Sequence, residues 1–263
     1  MRLFAIILCL SVMACASDKK EELLVDDAKP PEELYNKAQD SFDEANYKTA
    51  AKEFLDVERQ HPYSALAQKA QVQAAYAYYK DEKYDDAIST LQRFAKLNPG
   101  NEQTPYAYYL IALSYYNQIS TVERDQQKTI EAQQALKDVI SRYPNSDYAL
   151  DAKYKLDLVE DHLAGKEMTV GRYYQKKQQY IGAINRFKKV VEEYPTTAQV
   201  EEALHRLVEC YLALGITPEA QKYAAVLGHN YPGSEWYQNS YDLLTSGEIK
   251  EPQPKKESWY KVW

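Results

Sequence analysis

Apolar side chains recur at fixed distances before five prolines of the chain. Twelve, eight and five positions before each proline stands a small or apolar residue, and the first of the three is always alanine. The prolines are Pro62, Pro99, Pro144, Pro195 and Pro232; the residues before them are Ala50, Ala87, Ala132, Ala183 and Ala220, then Phe54, Leu91, Leu136, Phe187 and Ala224, then Val57, Phe94, Val139, Val190 and Leu227. Because positions four and seven residues apart share a helical face, each set predicts one buried face that ends at its proline.

The segments between these faces carry the signals of another helix in each unit. This helix precedes the one that ends at the proline, so we call it the first helix of the pair and the other the second helix. Thr217, followed by Pro218, marks one such start with a cap and a proline in the first turn. Two residues after every proline stands a residue that can cap the next helix: Ser64, Asn101, Ser146, Thr197 and Ser234. Small residues that let helices approach closely occupy matching positions at Ala38, Ala75, Ala112 and Gly171, whereas Val208 departs from the pattern.

The repeated unit resembles the tetratricopeptide repeat, whose A-x-x-x-F…P half it matches well. Successive prolines are 37, 45, 51 and 37 residues apart, so the third and fourth units are extended. The extra residues of the third unit, around 119–128, are polar and predict a loop or longer helix ends. We therefore expect an all-α fold, a right-handed superhelical solenoid of about five tetratricopeptide-like helix pairs over about residues 31–245. Ordinary globular packing of helices is the alternative.

The beginning of the chain has the pattern of a bacterial lipoprotein signal. Arg2 precedes an apolar run over residues 3–13 that is too short to span a membrane. Val12 stands three residues before Cys15, and Ala14 directly precedes it, which resembles the lipobox. Cys15 is therefore the predicted lipidation site.

Lipidation divides this region into two segments. Residues 1–14 are then the signal peptide, and residues 15–30 are a flexible polar tether that carries a diacylglycerol and an N-acyl chain on Cys15. Several acyl chains anchor a protein stably, so the membrane is a predicted partner. Ala16, where an inner-membrane lipoprotein often has Asp, favours the outer membrane. Ordinary signal cleavage after Ala16 is the alternative.

Composition adds an excess of tyrosine: 25 Tyr against 8 Gly in 263 residues. Tyr combines a large apolar ring with a hydrogen-bonding tip, which suits half-buried binding surfaces. The first helices of a solenoid line its concave face, and helical spacing from the small residues predicts which side chains point into that groove. These substrate-groove candidates are Tyr35, Phe42, Tyr76, Tyr79, Tyr106, Tyr109 and Tyr116, together with Val72. The alternative is that they form the core between repeats.

The fourth repeat is locally basic, although the chain has a formal net charge of −7, which argues against nucleic-acid partners. Residues 168–191 contain no Asp or Glu and six cations: Arg172, Lys176, Lys177, Arg186, Lys188 and Lys189. Such a stretch indicates a docking site for an acidic partner. The alternative is a solvated helix face beside the acids of repeat five.

Catalytic chemistry finds no support in the sequence. The four histidines, His61, His162, His205 and His229, match no zinc spacing, and no nucleophile elbow or phosphate-binding loop is present. We therefore expect no enzyme, no metal and no cofactor other than the lipid. Cys210, in an apolar stretch, is expected to be a small buried hydrophobe. The tail, residues 246–263, contains Trp259 and Trp263, which either dock on a protein surface or belong to a disordered terminus.

Several stretches resemble the BamD family of outer-membrane lipoproteins. They are residues 76–80 (YAYYK), 93–99 (RFAKLNP), 143–146 (YPNS) and 170–174 (VGRYY), followed by Asn185-Arg186. The tail with its tryptophans is not part of that pattern, and the segment 119–128 looks shorter than in some relatives.

The resemblance implies a periplasmic scaffold on the outer membrane that assembles β-barrel proteins. Its implied partners are the POTRA region of a BamA-type insertase, other lipoproteins of the same machinery, and the C-terminal aromatic signal of unfolded outer-membrane proteins. It associates residues 31–146 with substrate recognition and residues 147–245 with the insertase, and it makes Arg186 the best candidate for an insertase contact. The alternative is an adaptor of another envelope assembly, such as a pilus-secretin pilotin or a cell-envelope coordinator.

Overall fold

The structure, a computed structural model, describes residues 29–246, and this range contains eleven helices and no strand. The helices are α1 (Pro31–Asp43), α2 (Tyr47–Gln60), α3 (Ala65–Lys80), α4 (Tyr84–Leu97), α5 (Thr104–Tyr116), α6 (Gln127–Arg142), α7 (Asp147–Lys176), α8 (Tyr180–Glu193), α9 (Gln199–Ala213), α10 (Thr217–Asn230) and α11 (Glu235–Ser246). The first ten form the five predicted pairs, and α11 adds a single helix that packs on α9 and α10. The predicted all-α solenoid is confirmed. The predicted signal peptide, Cys15 and nearly all of the tether and tail lie outside the described residues.

The five repeated apolar faces lie in the protein core, one on the second helix of each pair. All fifteen residues at the three fixed positions before the prolines are buried. The small residues of the first helices, including Gly171, are buried as well, and so is the larger Val208 at the matching position. The periodicity of the sequence therefore identified these core residues, because residues that recur every three or four positions lie on the same face of a helix and are buried together.

The first helices of successive pairs pack against one another in order. Contacts join α1 to α3, α3 to α5, α5 to α7, α7 to α9, and α9 to α11. Each unit thus rests mainly on its neighbours, as in other solenoids. This row of first helices carries the groove candidates. No helix within residues 29–246 combines the length and apolarity needed to cross a membrane.

Three of the predicted caps are present. The hydroxyls of Ser64, Ser146 and Ser234 each accept a hydrogen bond from a backbone amide two or three residues further on. These bonds satisfy amides that a helix N-terminus otherwise leaves unpaired. They begin α3, α7 and α11.

Two predicted caps are wrong, and one acts earlier than expected. The hydroxyl of Thr197 donates backwards to the carbonyl of Tyr194, and α9 begins only at Gln199. The predicted helix start at Thr217 is confirmed, with Pro218 in the first turn, but the N-cap position belongs to Ile216 and not to Thr217. Asn101 accepts from the amide of Gln103 in the turn that leads into α5. A short polar side chain can bond to either side of a turn, and the sequence does not fix the direction.

Four of the five pairs turn from first to second helix through a residue in the left-handed region. These residues are Ala45 (φ 60°), Glu82 (φ 58°), Gln178 (φ 60°) and Gly215 (φ 75°). In each case the next amide bonds back to a carbonyl five residues earlier, as Gln179 does to Tyr174. Only one of the four is glycine, so three of these turns carry backbone strain.

Gln178→Gly is expected to stabilise the protein by about 0.5–1 kcal/mol. Glycine adopts a positive φ without the steric cost of a β-carbon, although it also gains freedom in the unfolded chain. The urea midpoint of unfolding should rise at unchanged slope. Gly215→Ala is the matched reverse change and should lower the midpoint by a similar amount. A lower midpoint for Gln178→Gly would contradict strain at this turn.

The third and fourth repeats carry their extra residues in different ways. Residues 117–126 form the predicted loop. The ammonium group of Lys166 on α7 donates hydrogen bonds to the loop carbonyls of Glu123 and Arg124 and so holds the loop against α7. Helix α7 has 30 residues, about twice the length of the other first helices. Its N-terminal half packs beside α5, and its C-terminal half packs beside α9.

Candidate functional site

Half-buried aromatic side chains connect the first helices of four repeats. The ring of Phe42 on α1 stacks on Tyr76 of α3 at 5.5 Å, and Tyr76 stacks on Tyr79 at 6.3 Å between centroids. On the next two first helices, Tyr148 of α7 lies 5.7 Å from Tyr106 and 5.2 Å from Tyr109. We call these residues the aromatic band: Phe42, Tyr76, Tyr79, Tyr106, Tyr109 and Tyr148. All six keep part of their surface exposed, so the band is both an inter-repeat contact and an accessible surface.

The two parts of the band lie close to one another. Burial raises the pKa of Tyr106, and the nearby phenols of Tyr76, Tyr148 and Tyr79 raise it further, in that order. Tyr106 on α5 is therefore a neighbour of the α3 tyrosines as well as of α7. The O–H groups of these phenols can donate and accept hydrogen bonds with a ligand.

Polar partners fix the tips of two rings in the band. The Tyr109 hydroxyl donates to a carboxylate oxygen of Asp151, and the amide of Asn117 donates to the Tyr79 hydroxyl at 2.8 Å. The bond from Tyr109 lowers the pKa of Asp151, with a further contribution from Lys155. The band is therefore pre-organised before any ligand arrives, which lowers the entropic cost of binding.

Two groove candidates belong to the core instead. Tyr35 is 8% exposed and packs edge-on against Phe54, with ring centroids 5.3 Å apart. Val72 is also buried, in the cluster between α3, α4 and α5. Both share a helical face with the other candidates on their helices, so it is the packing of neighbouring helices that buries them.

Tyr116 and Tyr148 also differ from the sequence expectation. Tyr116 lies apart from the stacked rings, where Lys155 sits 5.5 Å over its ring. Tyr148 joins the band although no pattern in the sequence pointed to the first turn of the long α7. Its contacts depend on the packing of α7 against α5, which no local pattern encodes.

The six cations of the basic stretch do not form one patch. Arg186 and Lys189 on α8 both pair with the buried Glu167 of α7, at 3.0 and 2.8 Å. Glu167 lies one residue before the acid-free stretch, so counting charges along the chain missed it. The bond to Glu167 raises the pKa of Lys189.

The remaining four cations have other partners or are exposed to solvent. Arg172 pairs with Glu202 of α9 at 3.1 Å, and Lys188 sits 6.0 Å over the ring of Tyr211. Lys176 and Lys177 are exposed at the end of α7. The alternative of a helix face beside the acids of repeat five therefore describes Arg172 and, in part, Lys189, which also lies 3.9 Å from Glu193. Arg186 and Lys189 share a separate site at Glu167.

A surface hollow lies beside Arg186 and Lys189. It has a volume of about 220 Å³ and is lined by Tyr174, Gly182, Asn185, Arg186 and Lys189. Arg186 keeps 43% of its side chain exposed while it is held by Glu167. The hollow thus offers a fixed guanidinium, an amide and an aromatic face to a partner.

A buried ion network joins α7, α9 and α11. The carboxylate of Glu209 receives hydrogen bonds from Arg206 and Gln175, each at 2.8 Å, and lies 3.4 Å from the ring of His205. The other ring nitrogen of His205 lies 2.8 Å from the hydroxyl of Ser240 on α11. This network attaches α11 to the solenoid. Cys210, beside it on α9, is buried as predicted, and burial raises the pKa of its thiol to about 12.

The charge of Glu209 is expected to make stability depend on acid pH. Burial alone would raise its pKa, but the hydrogen bond and charge of His205, then Arg206 and Gln175, outweigh burial and lower it to about 2. Because the pKa is lower in the folded state, the stabilisation is present above about pH 4.5 and is lost as the pH falls towards 2. Glu209→Gln should therefore cost on the order of 3 kcal/mol at pH 7, and the gap to the wild type should close towards pH 2.

Urea unfolding at several pH values measures this gap. Glu219→Gln is the control, since Glu219 forms a partly exposed pair with Lys222 and should show a small difference at every pH. A gap for Glu209→Gln that stays constant from pH 7 to pH 2 would contradict the role of its charge.

The fold and its surfaces define a class of protein: a helical-repeat scaffold with partly exposed aromatic and cationic side chains on its surface. Within residues 29–246, no group of three or more His, Cys, Asp or Glu side chains is placed to hold a metal ion.

Comparison with known sequences places this scaffold in a family. Residues 27–242 match the profile of the YfiO family, described as outer membrane lipoprotein. The chain is 45% identical to the outer membrane protein assembly factor BamD of Caulobacter vibrioides, over 94% of this chain and 81% of that protein. It is 45% identical to BamD of Rickettsia prowazekii, over 88% of this chain and 90% of that protein. The match to BamD of Neisseria meningitidis is 34% over 99% of this chain and 98% of that protein. The chain belongs to the BamD family of outer membrane protein assembly factors, and it is a scaffold rather than an enzyme.

Solved structures with a similar course of helices include the TPR2AB domain of yeast Sti1 in complex with pHSP90. That chain is 12% identical, with a TM-score of 0.42, over 82% of this chain and 83% of the other.

Proposed function

We propose that this protein is an outer-membrane-anchored periplasmic scaffold of the β-barrel assembly machinery. It binds a BamA-type insertase and unfolded outer-membrane proteins and brings the two together for insertion. Family membership supports the setting in outer-membrane protein assembly. The observation that carries substrate binding is the aromatic band, and the one that supports insertase binding is the hollow beside Arg186.

The aromatic band fits an extended chain with aromatic side chains. Its rings are held about 5–6 Å apart and remain partly exposed, so an incoming aromatic ring can stack against them. The tyrosine hydroxyls can hydrogen-bond the backbone of the bound segment. The C-terminal aromatic signal of an unfolded outer-membrane protein is such a segment.

The hollow beside Arg186 fits an acidic partner surface. Glu167 holds Arg186 and Lys189 from the buried side, and the exposed part of the guanidinium faces solvent. A carboxylate from the POTRA region of the insertase can bind to this exposed part. Other lipoproteins of the machinery are further partners in this proposal.

The lipid on Cys15 anchors the scaffold to the periplasmic face of the outer membrane. Cys15 lies outside the described residues, and the lipobox sequence is its support. A short tether confines the solenoid near the membrane and raises its effective concentration near a membrane-embedded insertase. This proposal needs neither a metal nor a cofactor besides the lipid.

Photo-crosslinking tests substrate binding at the aromatic band. A photoreactive phenylalanine analogue at positions 76, 79 and 109 should label the C-terminal segment of an unfolded outer-membrane protein. The controls are the same analogue at Leu97 on α4 and Ile130 on α6, two exposed apolar residues on second helices. We expect labelling from the band to exceed labelling from the controls at least fivefold. Equal labelling from both faces would reject the groove.

A further inference from the structure

A second hollow lies where α5 meets α7, beyond the aromatic band. It has a volume of about 340 Å³ and is lined by Tyr116, Ile119, Leu158, Val159 and His162. This volume is at the lower end of the range for ligand-binding pockets. Four of the five lining residues are apolar or aromatic, so the hollow suits a large apolar side chain.

One polar atom in this hollow lacks a partner. The Nε2 atom of His162 is buried and forms no hydrogen bond within residues 29–246. The Oδ1 atom of the adjacent Asp161 is in the same situation. Unpaired buried polar atoms are costly and rare, so a ligand that supplies a hydrogen bond gains affinity here. A ring nitrogen of histidine can accept from a ligand that donates through N–H or O–H.

The hollow continues onto an exposed apolar ridge of α7. Leu158 at its edge is 61% exposed, and Tyr154, one turn earlier, is 66% exposed. Leu150 extends the ridge by another turn. Large apolar side chains at consecutive turns of one helix face are typical of a protein-binding surface.

The chain itself contains a segment of matching chemistry. Residues 259–263 read Trp-Tyr-Lys-Val-Trp and hold two of the three tryptophans of the protein. Trp and Tyr are aromatic side chains that carry a hydrogen-bond donor, which a ring nitrogen of His162 can accept. Lys255, Lys256 and Lys261 supply positive charge, and the exposed Asp157 lies next to Leu158 at the edge of the hollow. Shape, donor and charge therefore agree.

The segment can reach the hollow. Hydrogen bonds set α11 beside α9 at His205–Ser240 and α9 beside α7 at Gln175–Glu209. The end of α11 is therefore level with the C-terminal end of α7, with α9 between the two helices. From there the hollow lies two helix spacings sideways, roughly 20 Å, and roughly 20–25 Å back along α7. The combined distance is roughly 30 Å. The 12 residues from 247 to 258 span up to about 40 Å when extended.

We propose that the hollow at the α5–α7 junction is the binding site for the Trp-Tyr-Lys-Val-Trp segment of the same chain. One tryptophan fills the space between Tyr116, Leu158 and Val159 and donates its indole N–H to His162. The neighbouring aromatic side chains cover the ridge at Tyr154. This site does not depend on substrate binding at the aromatic band, from which it is separated along α5.

Crosslinking in the intact lipoprotein tests the site. A photoreactive phenylalanine analogue replaces Leu158, or Tyr154 in a second variant, and peptide mass spectrometry locates the product. We expect a crosslink to residues 259–263 within one chain, and its loss in Trp259→Ala/Trp263→Ala. Ile181 on α8, which is 70% exposed, is the matched control and should give at least fivefold less. Equal yields from positions 158 and 181, or no product with the segment from either ridge position, would overturn the proposal.

Isotope labelling and two substitutions at His162 separate the possible occupants. A mixture of ¹⁵N-labelled and unlabelled protein should give crosslinks that carry one label only; mixed products would assign the hollow to a second copy and overturn the proposal. Crosslinks from the hollow to a different protein, and not to residues 259–263, would also overturn the proposal. His162→Phe keeps an aromatic ring without an acceptor and should reduce the crosslink at least threefold, whereas His162→Gln keeps an acceptor and should retain it. An equal yield in both variants would reject the hydrogen bond to His162.

Discussion

Gly171→Ala is expected to destabilise the protein by about 2 kcal/mol, although alanine is the better helix former. A β-carbon at position 171 would lie between 2.5 and 2.9 Å from three ring atoms of Phe187. That ring is fully buried at the α7–α8 contact, so it can move only by disturbing its neighbours. Overpacking of this kind outweighs the gain in helix propensity, which is about 1 kcal/mol.

Gly228→Ala provides a matched control for this prediction. A β-carbon there would also lie 2.5 Å from an aromatic ring, that of Tyr237. Tyr237 is only half-buried, so its ring can swing towards solvent. We expect the stability of Gly228→Ala to stay within about 0.5 kcal/mol of the wild type. Denaturant unfolding followed by circular dichroism measures both variants.

A double-mutant cycle isolates the contact between Gly171 and Phe187. Phe187→Leu shortens the side chain that the added β-carbon at position 171 would meet, so the double variant should lose less stability than the sum of the two single changes. Equal losses for Gly171→Ala and Gly228→Ala, or strict additivity in the cycle, would contradict the close approach of α7 and α8.

Arg186→Glu is expected to weaken co-purification of the insertase by about 10- to 100-fold. The substitution removes the cation that the proposal assigns to an acidic partner surface and replaces it with a repelling charge. It also places a carboxylate beside Glu167, although Lys189 remains there as a counter-charge. Each tenfold loss corresponds to about 1.4 kcal/mol of binding free energy.

Lys176→Glu is the matched control for Arg186→Glu. Lys176 belongs to the same basic stretch, and its substitution changes the net charge equally, but it is exposed at the end of α7 and does not line the hollow. Co-purification from envelope membranes should fall for Arg186→Glu and stay near the wild-type level for Lys176→Glu. Thermal unfolding of both variants shows whether the fold is retained. Unchanged binding for a folded Arg186→Glu would reject Arg186 as an insertase contact. An equal fall in both variants would show that net charge, and not a contact of Arg186, affects binding.

The candidate site was only partly predictable. Phe42, Tyr76, Tyr79, Tyr106 and Tyr109 were identified from helical spacing, and they do lie in one partly exposed band; their role in substrate binding stays a prediction. The same spacing placed Tyr35 in the groove, yet it packs on Phe54. A residue on that face is exposed or buried according to the helix that packs beside it, and the rotation between two helices is set by packing.

The low glycine content, 8 residues in 263, did not predict the turns between the paired helices. It agrees with an all-helical protein, but the turns between paired helices still require a positive φ at four positions. Ala45, Glu82 and Gln178 adopt it without being glycine. The sequence did not reveal these turns because the usual signal, a glycine after the helix, is present only at Gly215.

The amino-acid sequence by itself determined the helices, the repeat and the core of the second helices. These follow from local periodicity, from prolines that end helices and from serines that cap them, all of which act within a few residues. The tertiary structure alone decided which cations are paired through Glu167, which tyrosines meet across repeats, and that the Nε2 atom of His162 forms no hydrogen bond within residues 29–246. Those outcomes depend on side chains that are far apart in sequence and meet only after the helices have packed.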